Sequence, residues 1–106
     1  MLEKHNGMWY AECILPDRIE SYLIDIRVLR YFLMVAQEES FSRAAERLFL
    51  SQPTLSRQIH ELETELGVTL LKRTNRNVIL TSDGQRLRKR AQEIVELADK
   101  TRQEFA

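Results

Sequence analysis

Apolar residues return at helical spacing along the chain from residue 25 onward. They form three successive stripes, each of which would lie on one side of its own helix. The stripes are Leu29, Phe32, Leu33 and Ala36, then Ala45, Leu48 and Phe49, then Leu55, Ile59, Leu62 and Leu66. Because positions three and four apart lie on the same side of a helix, each stripe predicts one amphipathic helix that buries these residues. We therefore expect three consecutive helices before residue 67.

Residues that begin or end helices stand at the boundaries of these stripes. Asp25, Ser42 and Ser51 precede the three stripes, and each can accept a hydrogen bond from a free amide in a first turn. Pro53 falls in the first turn of the third helix, where its missing N–H would have no intrahelical partner. Gly67 can adopt the left-handed conformation that often ends a helix. A short turn is left between the second and third helices.

Two short runs of β-branched and apolar residues follow, at positions 69–74 and 77–81. Asn75 and Arg76 lie between them, so we predict a small β-hairpin that carries Arg73 and Arg76 at its tip. Thr81 can cap one more helix. The predicted fold is mainly α: a winged helix-turn-helix over residues 24–81, with three helices and a hairpin wing, followed by a long linker helix over residues 82–106.

The linker helix has an apolar seam of its own. Its members are spaced by four and three residues in alternation: Leu87, Ala91, Ile94, Ala98, Thr101 and Phe105. A helix of ~25 residues is ~37 Å long, which exceeds what so small a domain can cover. We expect the seam to pair with the same helix of a second chain. The alternative is that it packs against the domain of its own chain.

Residues 1–23 show a less regular pattern, interrupted by Gly7 and Pro16. The spacing of the apolar residues after Pro16 predicts a helical turn there. We expect these residues to form an extension outside the main domain. The extension is either a native part of the protein or foreign to it, and it is a candidate for disorder.

The net charge of zero conceals an uneven distribution of charge. Between residues 71 and 90, only Asp83 opposes a block of basic residues: Lys72, Arg73, Arg76, Arg86, Arg88, Lys89 and Arg90. Such a block indicates either a phosphate-binding surface or a charged face that is simply solvated. Glu61, Glu63 and Glu65 make the second half of the third helix acidic, so a phosphate-bearing ligand could approach only its first two turns.

Several classes of function are disfavoured by composition. Cys13 is the only cysteine, which excludes an internal disulfide and favours a reducing compartment. No run approaches the ~20 apolar residues that cross a bilayer. The chain has two histidines and no glycine-rich phosphate loop. We expect a cytoplasmic protein that is not an enzyme, with no catalytic residues, no metal, no cofactor and no membrane contact.

Residues 41–59 are the most informative part of the sequence, because two short helices separated by a tight turn are typical of a helix-turn-helix. This segment resembles the start of LysR-type transcriptional regulators. The resemblance also includes residues 25–32, 62–67, 70–73, 80–81 and Gly84. The resemblance covers roughly residues 24–106. It implies a winged helix-turn-helix, a linker helix that dimerises and a C-terminal effector-binding domain. Because the chain ends at Ala106, we expect the effector domain to be absent, so a small-molecule effector would act only through that missing domain.

The resemblance and the helix positions together give the candidate DNA-binding residues: Ser42, Arg43, Ser51, Gln52, Pro53, Ser56, Arg57, His60, Arg73 and Arg76. Gln52 suits an adenine edge or a phosphate, and Arg57 suits a guanine edge or a phosphate. Ordinary helix-start chemistry remains the alternative for Gln52 and Ser56, and a solvated surface position remains the alternative for His60 and Arg76.

The candidate dimer-interface residues are Leu87, Ala91, Ile94, Ala98 and Phe105. The predicted function is sequence-specific binding of double-stranded DNA by a homodimer. The third helix would enter the major groove and the wing would lie on the backbone or in the minor groove. The resemblance implies an AT-rich interrupted palindrome as the target. The alternative function is a winged-helix module that binds another protein through its amphipathic last helix.

Overall fold

The computed structural model describes residues 24–106 and, before them, two short strands, β1 (Lys4–His5) and β2 (Met8–Trp9). These strands pair antiparallel, with Lys4 opposite Trp9. The helical turn predicted after Pro16 lies outside the described residues, as does most of the predicted extension.

From residue 24 onward the chain forms four helices and one hairpin. In order, they are α1 (Ile26–Glu38), α2 (Phe41–Leu48), α3 (Gln52–Leu66), β3 (Leu71–Arg73), β4 (Val78–Leu80) and α4 (Ser82–Glu104). β3 and β4 pair antiparallel, with Leu71 opposite Leu80 and Arg73 opposite Val78. The predicted fold, a winged helix-turn-helix followed by a long helix, is confirmed. None of the helices in residues 24–106 is long and apolar enough to span a membrane.

Side-chain oxygens cap each of the four helices. Asp25 accepts a bond from the Val28 amide at the start of α1, and Ser51 accepts one from Thr54 at the start of α3. The prediction that Ser42 caps α2 is wrong. Ser40 has the extended backbone that a cap needs and accepts the bond from the Arg43 amide. Ser42 therefore lies inside the first turn of α2.

The three short helices enclose the core. Phe32 and Val35 of α1 and Leu55, Ile59 and Leu62 of α3 are almost wholly buried, and burial of each such side chain contributes about 1.5–3 kcal/mol. Ala44 and Ala45 of α2 are buried as well, and their small side chains let the helices approach closely.

Phe49 was expected to be buried, and that prediction is wrong. The residue is the C-cap of α2, with φ of 57°, and its side chain is 95% exposed. A left-handed residue takes the chain off the helical path, so the helical spacing that led to the prediction no longer holds at this position.

Hydrogen bonds donated by main-chain amides attach the hairpin to the helices. The Val78 amide donates to the Glu39 carbonyl in the turn between α1 and α2. At the other strand, Glu63 Oε2 of α3 accepts bonds from the amides of Leu70 and Leu71, at 2.7 and 3.2 Å. The wing is therefore attached to α3 and to the α1–α2 turn, and its position relative to them is set before any ligand binds.

The long helix α4 starts in close contact with the hairpin. A methyl group added at Gly84 would lie 2.1 Å from the Leu70 carbonyl oxygen, so no other residue fits there without a shift of the backbone. Ala91 is completely buried and Leu87 packs at the edge of the core. Beyond them, Ile94, Leu97 and Phe105 are 40%, 65% and 86% exposed.

The burial of Ala91 corrects one part of the predicted dimer seam. Since Ala91 has no exposed surface in the single chain, its side chain packs against its own domain, as the alternative reading held, and cannot contact a second copy. Any seam on α4 therefore excludes Ala91.

Candidate nucleic-acid interface

The exposed face of α3 carries the polar residues that the sequence assigned to DNA contact. Gln52, Pro53, Arg57 and His60 are all exposed, and Ser56 is half-buried at the flank of this face. The opposite face supplies the core through Leu55, Ile59 and Leu62. The helix thus offers its first turns to solvent while its apolar face holds it rigidly in the domain.

A groove of about 160 Å³ separates the start of α2 and the start of α3 from the wing. Ser42, Gln52, Arg73 and Arg76 line it. Ser42 Oγ donates a hydrogen bond to Gln52 Oε1 at 3.2 Å, which connects the first turns of the two helices. Four of the predicted contact residues, from three different elements, therefore meet at one surface.

The two arginines of the wing have different environments. Arg76 lies in the turn between β3 and β4, where Thr74 Oγ1 accepts a bond from the Asn77 amide at 2.9 Å. Arg73 was expected at the tip with Arg76, but it ends strand β3 and points back toward the helices. Its Nη2 donates to Ser56 Oγ at 3.2 Å.

Arg43 and Arg57 differ from the wing arginines because carboxylates already face them. Arg43 Nη2 donates to the Glu38 carbonyl at 3.0 Å, and its Nε lies 3.8 Å from Glu38 Oε1. Arg57 Nη1 lies 3.5 Å from Glu61 Oε1 on the same helix. The pair of Arg57 with Glu61 is exposed on both sides, and such pairs are worth about 0–1 kcal/mol, so a phosphate can replace this carboxylate at small cost. Arg43 does not line the groove beside the wing.

The acidic half of α3 is less open than its sequence indicates. Glu61 is paired with Arg57, and Glu63 is occupied by the two amides at the start of the hairpin. The role of Glu63 was missed by the sequence analysis because its amide partners lie in a different element. Ser51 is also partly occupied, since its hydroxyl donates to Thr54 Oγ1 at 2.8 Å while it caps α3.

The geometry defines the class of protein. α2, the tight turn and α3 form a helix-turn-helix, α1 packs behind them, and the β3–β4 wing lies beside the exposed start of α3. The chain is a winged helix-turn-helix protein. It belongs to the LysR family: a family profile described as "Bacterial regulatory helix-turn-helix protein, lysR family" matches residues 26–85.

Relatives in two bacteria show how much of a longer protein this resemblance covers. YnfL, an uncharacterized HTH-type transcriptional regulator of Escherichia coli (strain K12), is 49% identical over 76 residues, which are 72% of this chain and 26% of YnfL. The HTH-type transcriptional regulator BenM of Acinetobacter baylyi is 51% identical over 61 residues, 58% of this chain and 20% of BenM. The matched part of the chain spans about a quarter or less of the length of these relatives.

Solved structures agree with this assignment. The crystal structure of the BenM DNA-binding domain with catB site 1 DNA superposes with a TM-score of 0.75 at 40% identity, covering 77% of this chain and 91% of that one. Full-length CbnR complexed with its target DNA superposes with a TM-score of 0.72 at 40% identity, covering 76% of this chain and 28% of that one.

Proposed function

We propose that this chain is the DNA-reading part of a LysR-type transcriptional regulator and binds double-stranded DNA with sequence specificity. The observation that carries the proposal is the convergence of Ser42, Gln52, Arg73 and Arg76 on one groove beside the exposed start of α3. The similar structures of BenM and CbnR are complexes with DNA, which supports the same conclusion.

In this proposal α3 enters the major groove with its N-terminal end first. Gln52 and Arg57 would bond base edges or phosphates, Pro53 would contact a thymine methyl group, and Ser56 would bond a base or phosphate. The hairpin would lie on the backbone or in the minor groove through Arg73 and Arg76. Phosphates would bind near helix starts at Ser42, Arg43 and Ser51, with His60 one turn further along α3.

Two copies would act together through α4. Ile94, Leu97 and Phe105 leave an apolar face of α4 open to solvent in the single chain, with Leu87 and Ala98 at its margins. A homodimer on this face would present two α3 helices to half-sites about one helical turn apart. The expected target is an AT-rich interrupted palindrome.

The wider function follows from the family. The relatives named above are transcriptional regulators, and we infer a role in transcription regulation in the bacterial cytoplasm, without enzymatic activity. A small-molecule effector would act through a domain outside these 106 residues.

The test begins with selection of bound duplexes from a random pool, which identifies the preferred dyad. Fluorescence anisotropy then measures Kd for the parent, Arg57→Ala and Arg88→Ala. Arg57→Ala should weaken binding about 10- to 100-fold, while Arg88→Ala, on the exposed surface of α4, should change it less than threefold. An Arg57→Ala variant that binds the dyad as tightly as the parent would contradict the recognition assignment.

A protein-binding module is the second candidate function, because Phe49 is 95% exposed beside the turn of the helix-turn-helix.

Salt dependence separates the two candidates. If the chain binds DNA, the affinity should fall steeply as salt rises, since several phosphates are neutralised. Absence of binding to selected and random duplexes at low salt would instead favour the second candidate.

A further inference from the structure

Three elements of the proposed interface meet at the guanidinium group of Arg73. Arg73 ends strand β3 of the wing, and its Cζ lies 4.2 Å from the ring centroid of Phe41, the first residue of α2. The same guanidinium donates through Nη2 to Ser56 Oγ of α3 at 3.2 Å. The wing, the first helix of the helix-turn-helix and the second one are therefore connected through one cation.

The way in which Arg73 is held leaves it able to bind an anion. None of the six ion pairs between residues in the 24–106 range includes Arg73. A guanidinium has five N–H donors, and the bond to Ser56 uses one of them. The aromatic face attracts the cation without using a donor. A carboxylate in the same place would hold Arg73 equally well but would compete with a phosphate.

Phe41 itself is fixed by its surroundings. Its side chain is 6% exposed and belongs to the core cluster that also contains Ile59 and Leu71. Core packing holds the ring in place, so its position restricts where the guanidinium can lie. Arg76, by comparison, is an exposed residue of the turn, with no aromatic ring beneath it in the described part of the chain.

We propose that Phe41 is a positioning residue for DNA binding: its ring holds the Arg73 guanidinium beside Ser56 as a preformed phosphate-binding group shared by the wing and α3. This inference rests on the proposed function. Holding the side chain in place before binding removes part of the entropy that an arginine loses when it binds a ligand.

The arrangement also involves the hydroxyl group of Ser56. The hydroxyl accepts a bond from Arg73, so its own proton is free to be donated. Ser56 can therefore donate this proton to an acceptor on the DNA, either a phosphate oxygen or an acceptor atom of a base. Ser56 and Arg73 act as a coupled pair, and their effects on binding should not be additive.

The test must separate this role from ordinary core packing. Phenylalanine analogues with one, two and three ring fluorines, introduced at position 41, progressively weaken the negative charge of the ring face while nearly keeping the shape of the ring. The selected dyad duplex is the probe, Kd is measured by anisotropy, and folding of each protein is checked by urea unfolding. The same substitutions at the exposed Phe49 are the matched control.

Kd should rise with each added fluorine, about 3- to 10-fold for the trifluoro ring, and should not change for the analogues at Phe49. In an Arg73→Gln background the dependence on fluorine should disappear, because the cation is gone. If the trifluoro protein folds and binds as tightly as the parent, or if Arg73→Gln retains the fluorine dependence, the positioning role is wrong and the proposed function stands. If the parent itself binds no duplex, the proposed function fails, and the positioning role fails with it.

Discussion

Arg30 Nη2 lies 2.6 Å from Asp99 Oδ1, and this salt bridge connects α1 to the second half of α4. It is the only ion pair between these two helices within residues 24–106. The hydrogen bond from Arg30 is the main reason why the pKa of Asp99 lies below its ordinary value of 3.8. Desolvation opposes the shift, and the charges of Arg30 and Arg102 add to it.

The first prediction concerns the pH dependence of this contact. Because the folded protein lowers the pKa of Asp99, the contact contributes stability above pH 3.8 and loses it as the pH falls through the lower folded-state value. Asp99→Asn should therefore reduce the urea midpoint at pH 7, and the difference from the parent should shrink toward zero below pH 3.8. Glu96→Gln, on the same helix, serves as the control. A difference that stays constant with pH would exclude this assignment.

The second prediction concerns Glu63, which holds the start of the hairpin. Glu63→Ala leaves the amides of Leu70 and Leu71 without their acceptor and should lower the free energy of unfolding by about 1–3 kcal/mol. Glu61→Ala removes only an exposed pair with Arg57 and should cost less than about 1 kcal/mol. Urea unfolding of both variants measures the two losses in the free energy of unfolding. Equal losses would show that the bonds from Leu70 and Leu71 to Glu63 stabilise the fold no more than the exposed pair does.

The third prediction concerns the two left-handed helix ends. Glu39 and Phe49 have φ of 53° and 57°, a backbone conformation that is strained for residues other than glycine. Glu39→Gly and Phe49→Gly should leave stability unchanged or raise it by up to about 1 kcal/mol. Glu46→Gly, within the right-handed part of α2, should lower stability by about 1 kcal/mol. Thermal unfolding distinguishes the two groups. Loss of stability at Phe49 would mean that its exposed ring makes contacts that matter.

The fourth prediction concerns the exposed face of α4. Leu97→Glu puts a charge on the exposed apolar face that a second copy would cover, and should shift the protein from dimer to monomer at micromolar concentration. Arg88→Gln, on the opposite side of the helix, should leave the dimer intact. Sedimentation velocity measures the state of both. If the Leu97→Glu protein remains a dimer, the dimer interface must lie on another surface of the molecule.

Features that depend on neighbouring residues could be predicted from the sequence. Asp25, Ser51 and Thr81 cap their helices as expected, and Gly67 ends α3 with φ of 70°. The error at Ser42 has a local cause, because Ser40 has the same capping hydroxyl two residues earlier. Nothing in the sequence alone decides between them.

Features that depend on distant residues could not be predicted. Phe41 and Arg73 are separated by more than thirty positions, and no spacing rule relates them. The burial of Ala91 likewise depends on how α4 lies along the domain. The set of candidate DNA-binding residues stays a prediction, since their roles await a measurement with DNA.

The close contact at Gly84 determines the direction in which α4 leaves the hairpin. The helix is ~34 Å long, so a tilt of about 10° at its first turn would move its far end by about 6 Å. That distance is close to two base-pair steps along a duplex. A side chain at position 84 would force such a displacement, because its Cβ would lie 2.1 Å from the Leu70 carbonyl oxygen. In the proposed dimer, a residue larger than glycine at position 84 would therefore change the distance between the two α3 helices.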